Sequence, residues 1–277
     1  MKISVSMYSL AATLNKENWS IIDFLYYAKS IGLDGVELLD FYWCNQEQEI
    51  KEVLAALKKY RLHVSAYDVT NNFVKGSTEE RAEEVAKVEA GIQIAKRLGT
   101  RIVRVFCGDL HDNFTYEDGR DWIVEGLRSC ARMAEQEQIY LAIENHGLLA
   151  GRSEQVEEII HQVNSPYVKS TFDTGNFLLV HEEPQHAFDR LKNVIAHVHF
   201  KDFREKLPNE SVNGFRSTHG VELIGAIPGD GQVDLAYIVN GLKSSAYDGW
   251  LSIEYEGDED AKMANEEAVK RLRQLLI

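Results

Sequence analysis

Short apolar runs alternate with longer amphipathic ones along all 277 residues of this chain. A repeated strand–helix unit of that kind lays its strands parallel in one sheet, so the alternation restricts the fold before any single residue is considered. The strand-like runs are ISVSM at 3–7, GVELL at 35–39, HVSAY at 63–67, RIVRVF at 101–106, IYLAIE at 139–144, VKSTFD at 168–173, VIAHVHF at 194–200 and WLSIEY at 250–255. Between them the pattern predicts helices at 19–30, 47–60, 78–98, 117–137, 152–164, 185–192, 234–243 and 260–276. Ser77 or Thr78, followed by Glu79 and Glu80, gives the third helix a capping start, and Leu98-Gly99 gives it a stop.

Eight such units suit a single (β/α)8 TIM barrel over 1–277. Connections from helix to strand are short: Gly32 and Gly99 make two of them, and Tyr60-Arg61-Leu62 makes the same passage without glycine. Connections after strands are longer, at 107–116, 145–151, 174–184 and above all 201–233, so chemistry is expected at the carboxyl ends of the strands. The 201–233 stretch reads as a lid over one domain, with Gly214, Gly220, Gly229 and Gly231 suggesting a mobile cover that closes over substrate. An open dinucleotide-binding sheet is the rival architecture, but the first strand runs into Tyr8-Ser9-Leu10 without a G-x-G-x-x-G turn.

Composition narrows the partners. Thirty Lys and Arg against 44 Asp and Glu leave a formal charge of −14, which gives no broad attraction to nucleic acid. No run approaches the length of a membrane span, and MKISVSMYSL lacks the apolar stretch of a signal peptide. Cys44, Cys107 and Cys130 are widely spaced and without a C-x-x-C pair, and are read as reduced thiols of a cytoplasmic protein; Cys107 is read as a small buried hydrophobe. A homo-oligomer is compatible with all of this.

Four of the later strands carry polar residues near their ends that a packed core would reject: Glu144, Asp173, His199 and Glu254. A carboxylate pointing inward from an apolar strand needs a partner, and three of them converging with an imidazole make a ligand set for one divalent metal ion. The oxygen-rich set favours Mn2+ or Mg2+, and the imidazole keeps Zn2+, Co2+ and Fe2+ open. His197 shares a strand face with His199 and reads as a second ligand, a hydrogen-bond donor to one of the ligands or a hydrogen-bonded barrel histidine. Glu37, Asn71 and Asn72 are expected to offer hydrogen bonds to a sugar-like ligand, and His146 to bond a substrate hydroxyl or brace its loop. Lys201 and Asp202 follow the histidine strand, where Asp202 could hold an imidazole or pair with Arg204; His63, at the start of a strand, reads as structural.

The segments IENHG at 143–147, FDTGN at 172–176, HVHFKD at 197–202, PGDGQVD at 228–234 and YDGWLSIE at 247–254, in this order and preceded by GLDGVEL at 32–38, resemble the xylose isomerase-like barrel family. The resemblance is to its sugar phosphate isomerase and epimerase branch, which includes hydroxypyruvate isomerase-like, inosose dehydratase-like and ketose 3-epimerase-like members. It implies that Glu144, Asp173, His199 and Glu254 hold one divalent metal, and that Glu144 and Glu254 move a proton on either side of one carbon of a small carbohydrate. Substrate contacts are implied near Asn176, where ketose 3-epimerase-like members carry a histidine instead, and near Arg204, which lies one or two residues out of step. Metal-assisted deprotonation beside a carbonyl serves isomerisation, epimerisation and an inosose dehydratase-like elimination alike. A metal-binding barrel without turnover and an apurinic endonuclease-like hydrolase are the other readings, and for the latter a larger set of histidine ligands is not evident around His219.

Overall fold

A computed structural model describes residues 1–109 and 114–277. The strands β1 (Lys2–Ser6), β2 (Gly35–Leu39), β3 (His63–Asp68), β4 (Ile102–Val105), β5 (Tyr140–Glu144), β6 (Val168–Asp173) and β7 (Ile195–Phe200) come first. Then β8 (Asp202–Glu205), β9 (Phe215–Arg216) and β10 (Glu222–Ala226) form a separate antiparallel sheet, and β11 (Trp250–Ile253) follows. Strands β1 to β7 and β11 close a parallel barrel of eight, β11 pairing with β7 on one side and with β1 on the other. The expected single (β/α)8 barrel is therefore the fold.

Strand periodicity explains how the ring is filled. Leu141 and Ile143 of β5, Val198 and Phe200 of β7, and Leu251 and Ile253 of β11 face the helices and join one large buried apolar cluster. Fully burying a side chain of this size contributes roughly 1.5–3 kcal/mol. The alternate residues Glu144, His197, His199 and Ser252 turn into the barrel, so the outer face makes the core and the inner face is left for polar groups. Around the ring pack α2 (Ile21–Ser30), α3 (Gln46–Tyr60), α4 (Thr78–Leu98), α5 (Tyr116–Glu137), α6 (Ser153–Val163), α7 (Pro184–Leu191), α8 (Leu235–Ser244) and α9 (Ala261–Leu276), with a short α1 (Ala11–Glu17) ahead of them.

Helix ends follow their local chemistry. Ser77, rather than Thr78, caps α4: its Oγ accepts from the Glu80 N–H at 3.1 Å while Glu80 Oε2 accepts from the Ser77 N–H at 3.1 Å. Gly99 then ends α4 at φ +78°, and Arg61 ends α3 in the same left-handed region at φ +57° despite its side chain. The first strand stops at Ser6 instead of running to Met7, because Ser6 Oγ accepts from the Tyr8 N–H and starts a 3-10 turn over Met7–Leu10.

The 201–233 stretch is ordered as a sheet rather than a bare loop. Phe203 and Leu223 pack with Leu179 under it. Asp202 neither holds an imidazole nor pairs with Arg204: its two oxygens accept the N–H groups of Phe203, Gly229, Gly231 and Val233 at 2.9–3.0 Å. Any Cβ on Gly231 would collide with that carboxylate. The loop expected at 107–116 lies partly outside the described residues, and among those residues no helix is long and apolar enough to cross a membrane.

Candidate metal centre

Register places the four carboxyl-end residues together. Asp173 of β6 pairs with His199 of β7, and Glu144 of β5 lies opposite Thr171, one inward position below Asp173. Glu254 follows β11 directly, its N–H still bonded to the Phe200 carbonyl at 3.3 Å. All four are buried, and one donor atom from each lies within 4.8 Å of the others. His199 Nδ1 is 3.4 Å from Glu254 Oε2, 3.6 Å from Glu144 Oε1 and 3.7 Å from Asp173 Oδ2.

The donor set fits a divalent cation on the evidence of its own hydrogen bonds. His199 Nε2 lies 3.0 Å from Glu37 Oε1, a contact between two acceptors unless the proton sits on Nε2. Nδ1 has no hydrogen-bond partner among the described residues and faces three carboxylates. Buried anions of that number require a compensating positive charge. Burial alone would push the His199 pKa down; Glu254, Glu37 and Glu144 outweigh it and hold the pKa well above the ordinary imidazole value, a measure of how strongly this point favours a cation.

Asparagines fix the strand ends that carry the ligands. Asn145 Oδ1 accepts from the Asp173 N–H at 2.9 Å and its Nδ2 donates to the Asp173 carbonyl at 3.0 Å, extending the β5–β6 pairing by one side chain. Asn71 does the same after β3, bonding both backbone groups of Phe106, and Asn72 bonds Val74 N–H and Asp109. Both were expected to face a ligand; Asn71 bonds the backbone just past β4, which a strand end leaves unpaired, and Asn72 bonds a loop N–H and the Asp109 carboxylate. Asp173 Oδ1, in turn, accepts the N–H groups of Gly175 and Asn176 at 2.9 and 2.8 Å.

Above the cluster opens a cavity of about 200 Å3 whose walls include Tyr8, Phe41, Arg104, Phe106, His146, Lys201 and Glu256, with Glu144 and Glu254 facing into it. His146 lies against Phe106, ring centroids 4.1 Å apart. Asn176 Nδ2 donates to Glu144 Oε1 at 3.1 Å and so braces a ligand. Arg204 lies outside the cavity walls, paired with Glu210 in the small sheet. Glu37 is not in the walls either: it lies within the barrel, fully buried, accepting from both His197 and His199. His63 is exposed at the opposite end of the barrel, and Cys107 is buried in the apolar core.

Sequence reasoning passed over two charged residues here, Arg104 and Glu256, while Lys201, expected as a substrate contact, lines the cavity. Arg104, in the middle of RIVRVF, reaches Asp68 at 3.2 Å and Glu144 at 3.3 Å. Lys201 Nζ spans Glu254 at 2.7 Å, Asp173 at 3.0 Å and Glu256 at 3.5 Å; burial would lower its pKa, but Asp173, Glu254 and Glu256 hold it well above the usual value. Burial pushes Glu256 up to about 7 against the pull of Lys201. The signal for Arg104 and Glu256 was the same two-residue period that picked out the ligands: Arg104 alternates with Val103 and Val105, and Glu256 with Glu254.

A closed eight-stranded barrel with a buried three-carboxylate, one-imidazole cluster at the carboxyl end of its strands defines the class of protein. Residues 25–275 match the family described as Xylose isomerase-like TIM barrel, and the chain belongs to that family. Inosose dehydratase of Clostridium tetani (strain Massachusetts / E88) is 28% identical over 160 residues, 57% of this chain and 53% of that protein. The chain thus spans about half the length of the curated relatives it matches. Among solved structures, the IOLI protein with a bound zinc atom superposes with a TM-score of 0.79 at 17% identity, covering 100% of this chain and 96% of that one. The 3-keto-D-glucoside 4-epimerase of E. coli gives 0.76 at 17% identity, covering 99% of each. At these identities the structural likenesses are of fold.

Proposed function

We propose that this chain is a divalent-metal-dependent isomerase or epimerase of a sugar or related small polyhydroxy carbonyl compound. The observation that carries the reading is the bare Nδ1 of His199 set among Glu144, Asp173 and Glu254 at the floor of a cavity. These four residues would hold the metal, which when bound supplies Lewis acidity that makes the proton beside a substrate carbonyl easier to remove. A zinc-bound relative of the same fold agrees with the donor set, although Mn2+, Mg2+, Co2+ and Fe2+ suit it too.

Glu144 and Glu254 reach the cavity from β5 and from beyond β11, with β6 and β7 between them in the ring. One takes a proton from the substrate carbon and the other returns it, to the opposite face or to the neighbouring carbon. Glu144 is ionised: burial would raise its pKa, but His199 and Arg104 outweigh it and hold it at about 2. A carboxylate that low is a weak base, so the metal would have to lower the substrate's barrier to deprotonation. His146 stands where a substrate hydroxyl would meet it. Both cationic side chains in the described walls, Arg104 and Lys201, are already shared between carboxylates, which favours an uncharged substrate over a phosphorylated one. The small sheet would act as the cover on one side of the mouth.

A second reading is an inosose dehydratase-like lyase, favoured by the sequence relatives: the same proton abstraction followed by loss of a β-hydroxyl. The nuclease reading gains nothing, because His219 stacks on His181 and belongs to neither group of potential ligands among the described residues. Three unpaired cysteines accord with a reducing compartment, and we place the reaction in the cytoplasm.

The test is a panel of ketoses, aldoses, inososes and their phosphates with Mn2+ in deuterated water, read by NMR. Deuterium should enter beside the carbonyl of an unphosphorylated member, and the outcome at the next carbon separates isomerase, epimerase and lyase. Glu144→Gln and Glu254→Gln should each lower that exchange by about 100-fold or more while still binding metal. Near-normal exchange in both metal-loaded variants would show that another base moves the proton.

A further inference from the structure

Glu37 is a buried acidic residue that neither the cavity nor the metal cluster accounts for. It comes from β2, on the far side of the ring from β7, yet its Oε1 lies 3.0 Å from Nε2 of His197 and 3.0 Å from Nε2 of His199. Among the described residues its other oxygen, which has the Asp68 carboxyl as a neighbour, and the Nδ1 of His197 have no hydrogen-bond partner, and the two imidazoles supply the hydrogen bonds to Oε1. The rings stand edge to face, centroids 5.5 Å apart and 85° between planes, which lets both N–H bonds converge on one oxygen.

We infer that Glu37 is a positioning residue: by accepting from His199 Nε2 it fixes the ring orientation and the tautomer that turns the Nδ1 lone pair toward Glu144, Asp173 and Glu254. An imidazole can donate through one nitrogen and ligate through the other, and an anionic acceptor on the first makes the second a better donor to a cation. His197 completes the arrangement. Its own N–H holds Glu37 Oε1 in place from the neighbouring inward position of β7, so the acceptor does not swing away from His199. A strand that carried His199 without this bracing would leave the ring free to turn, since no other described group bonds Nε2. The same three residues also form a ligand-like group in their own right, but each N···O separation is that of an ordinary hydrogen bond, which assigns Glu37 to support rather than to a second metal.

This inference rests on the four-ligand reading above, and the experiment separates the two. Zn2+ affinity of the full chain is measured by chelator competition for wild type, Glu37→Gln and Glu37→Leu, with folding checked by far-UV circular dichroism and a urea midpoint. Histidine tautomers are read by 15N NMR of the Zn2+-loaded protein. Wild type should bind one Zn2+ with the His199 proton on Nε2. Glu37→Leu should lose about 10–100-fold in affinity. Glu37→Gln, whose amide oxygen still accepts from one ring, should recover most of that loss, which a residue that merely filled space would not do. If Glu37→Leu folds poorly, the Gln variant alone still decides through the His199 15N signature, which should keep its proton on Nε2. A folded Glu37→Leu with wild-type affinity, or a wild-type His199 carrying no proton on Nε2, overturns the inference and leaves the four ligands standing. Two Zn2+ per chain, one lost on changing Glu37, would overturn it in favour of a second metal. Wild type that binds no Zn2+ overturns the four-ligand reading and this inference together.

Discussion

Asp173 is held more tightly than any other ligand: its backbone is clamped by Asn145, and one carboxylate oxygen accepts two N–H groups while the other faces His199 and Lys201. Little is left to take its place. Asp173→Ala and His199→Ala should therefore each leave the purified protein with far less than one equivalent of divalent metal by elemental analysis; full occupancy in both would mean that the metal binds elsewhere. The ligands were legible because each is a polar residue at the end of an apolar strand, where sequence alone shows the conflict with burial. Arg104 and Glu256 were not, although they share that strand face. A lone arginine in a strand reads equally well as a side chain reaching water, and its true partners, Asp68 and Glu144, come from two other strands. Likewise Asn71 and Asn145 announce a polar group near the mouth, but only three-dimensional register reveals that backbone absorbs them.

All eight barrel strands could be read from the chain because their outward residues pack one continuous core, which keeps every second position apolar. The small sheet could not. Its strands are two to five residues long and depend on partners inside the same excursion and on the carboxylate of Asp202, none of which leaves a periodic trace. Helix α1 escaped notice for a similar reason: it has seven residues and no side-chain cap at its start. The Asp202 knot gives a stability prediction at this scale. Asp202→Ala strands four N–H groups, three of them in the 229–233 turn, and should cost about 2–4 kcal/mol. Gly231→Ala forces a methyl group onto the same carboxylate and should cost about 1–3 kcal/mol. Urea midpoints measure both, and a Gly231→Ala midpoint equal to wild type would show that the turn is loose after all.

For the molecule as a whole, the buried anionic cluster couples cation binding to folding. Glu144, Asp173 and Glu254, with Glu37 and Asp68 near them, share Arg104, Lys201 and His199 as their described counter-charges. A metal that binds only the folded chain adds about 2.7 kcal/mol at one hundred times its dissociation constant. In a domain of this size that raises Tm by roughly 5–10 °C. Thermal melts with EDTA and with excess Mn2+ measure it, and coincident melts would separate the cluster from stability.

The ring closes from β7 straight to β11, so the three-stranded excursion between them carries none of the barrel's own ladder. It is joined to the ring at its two roots and rests on a satellite cluster of Leu179, Phe203 and Leu223. Such an appendage is an exchangeable cassette. A change of length or charge in it would leave the barrel ladder intact, and the histidine strand beneath would keep its place. Divergence in what these proteins accept can then outrun divergence in how they act.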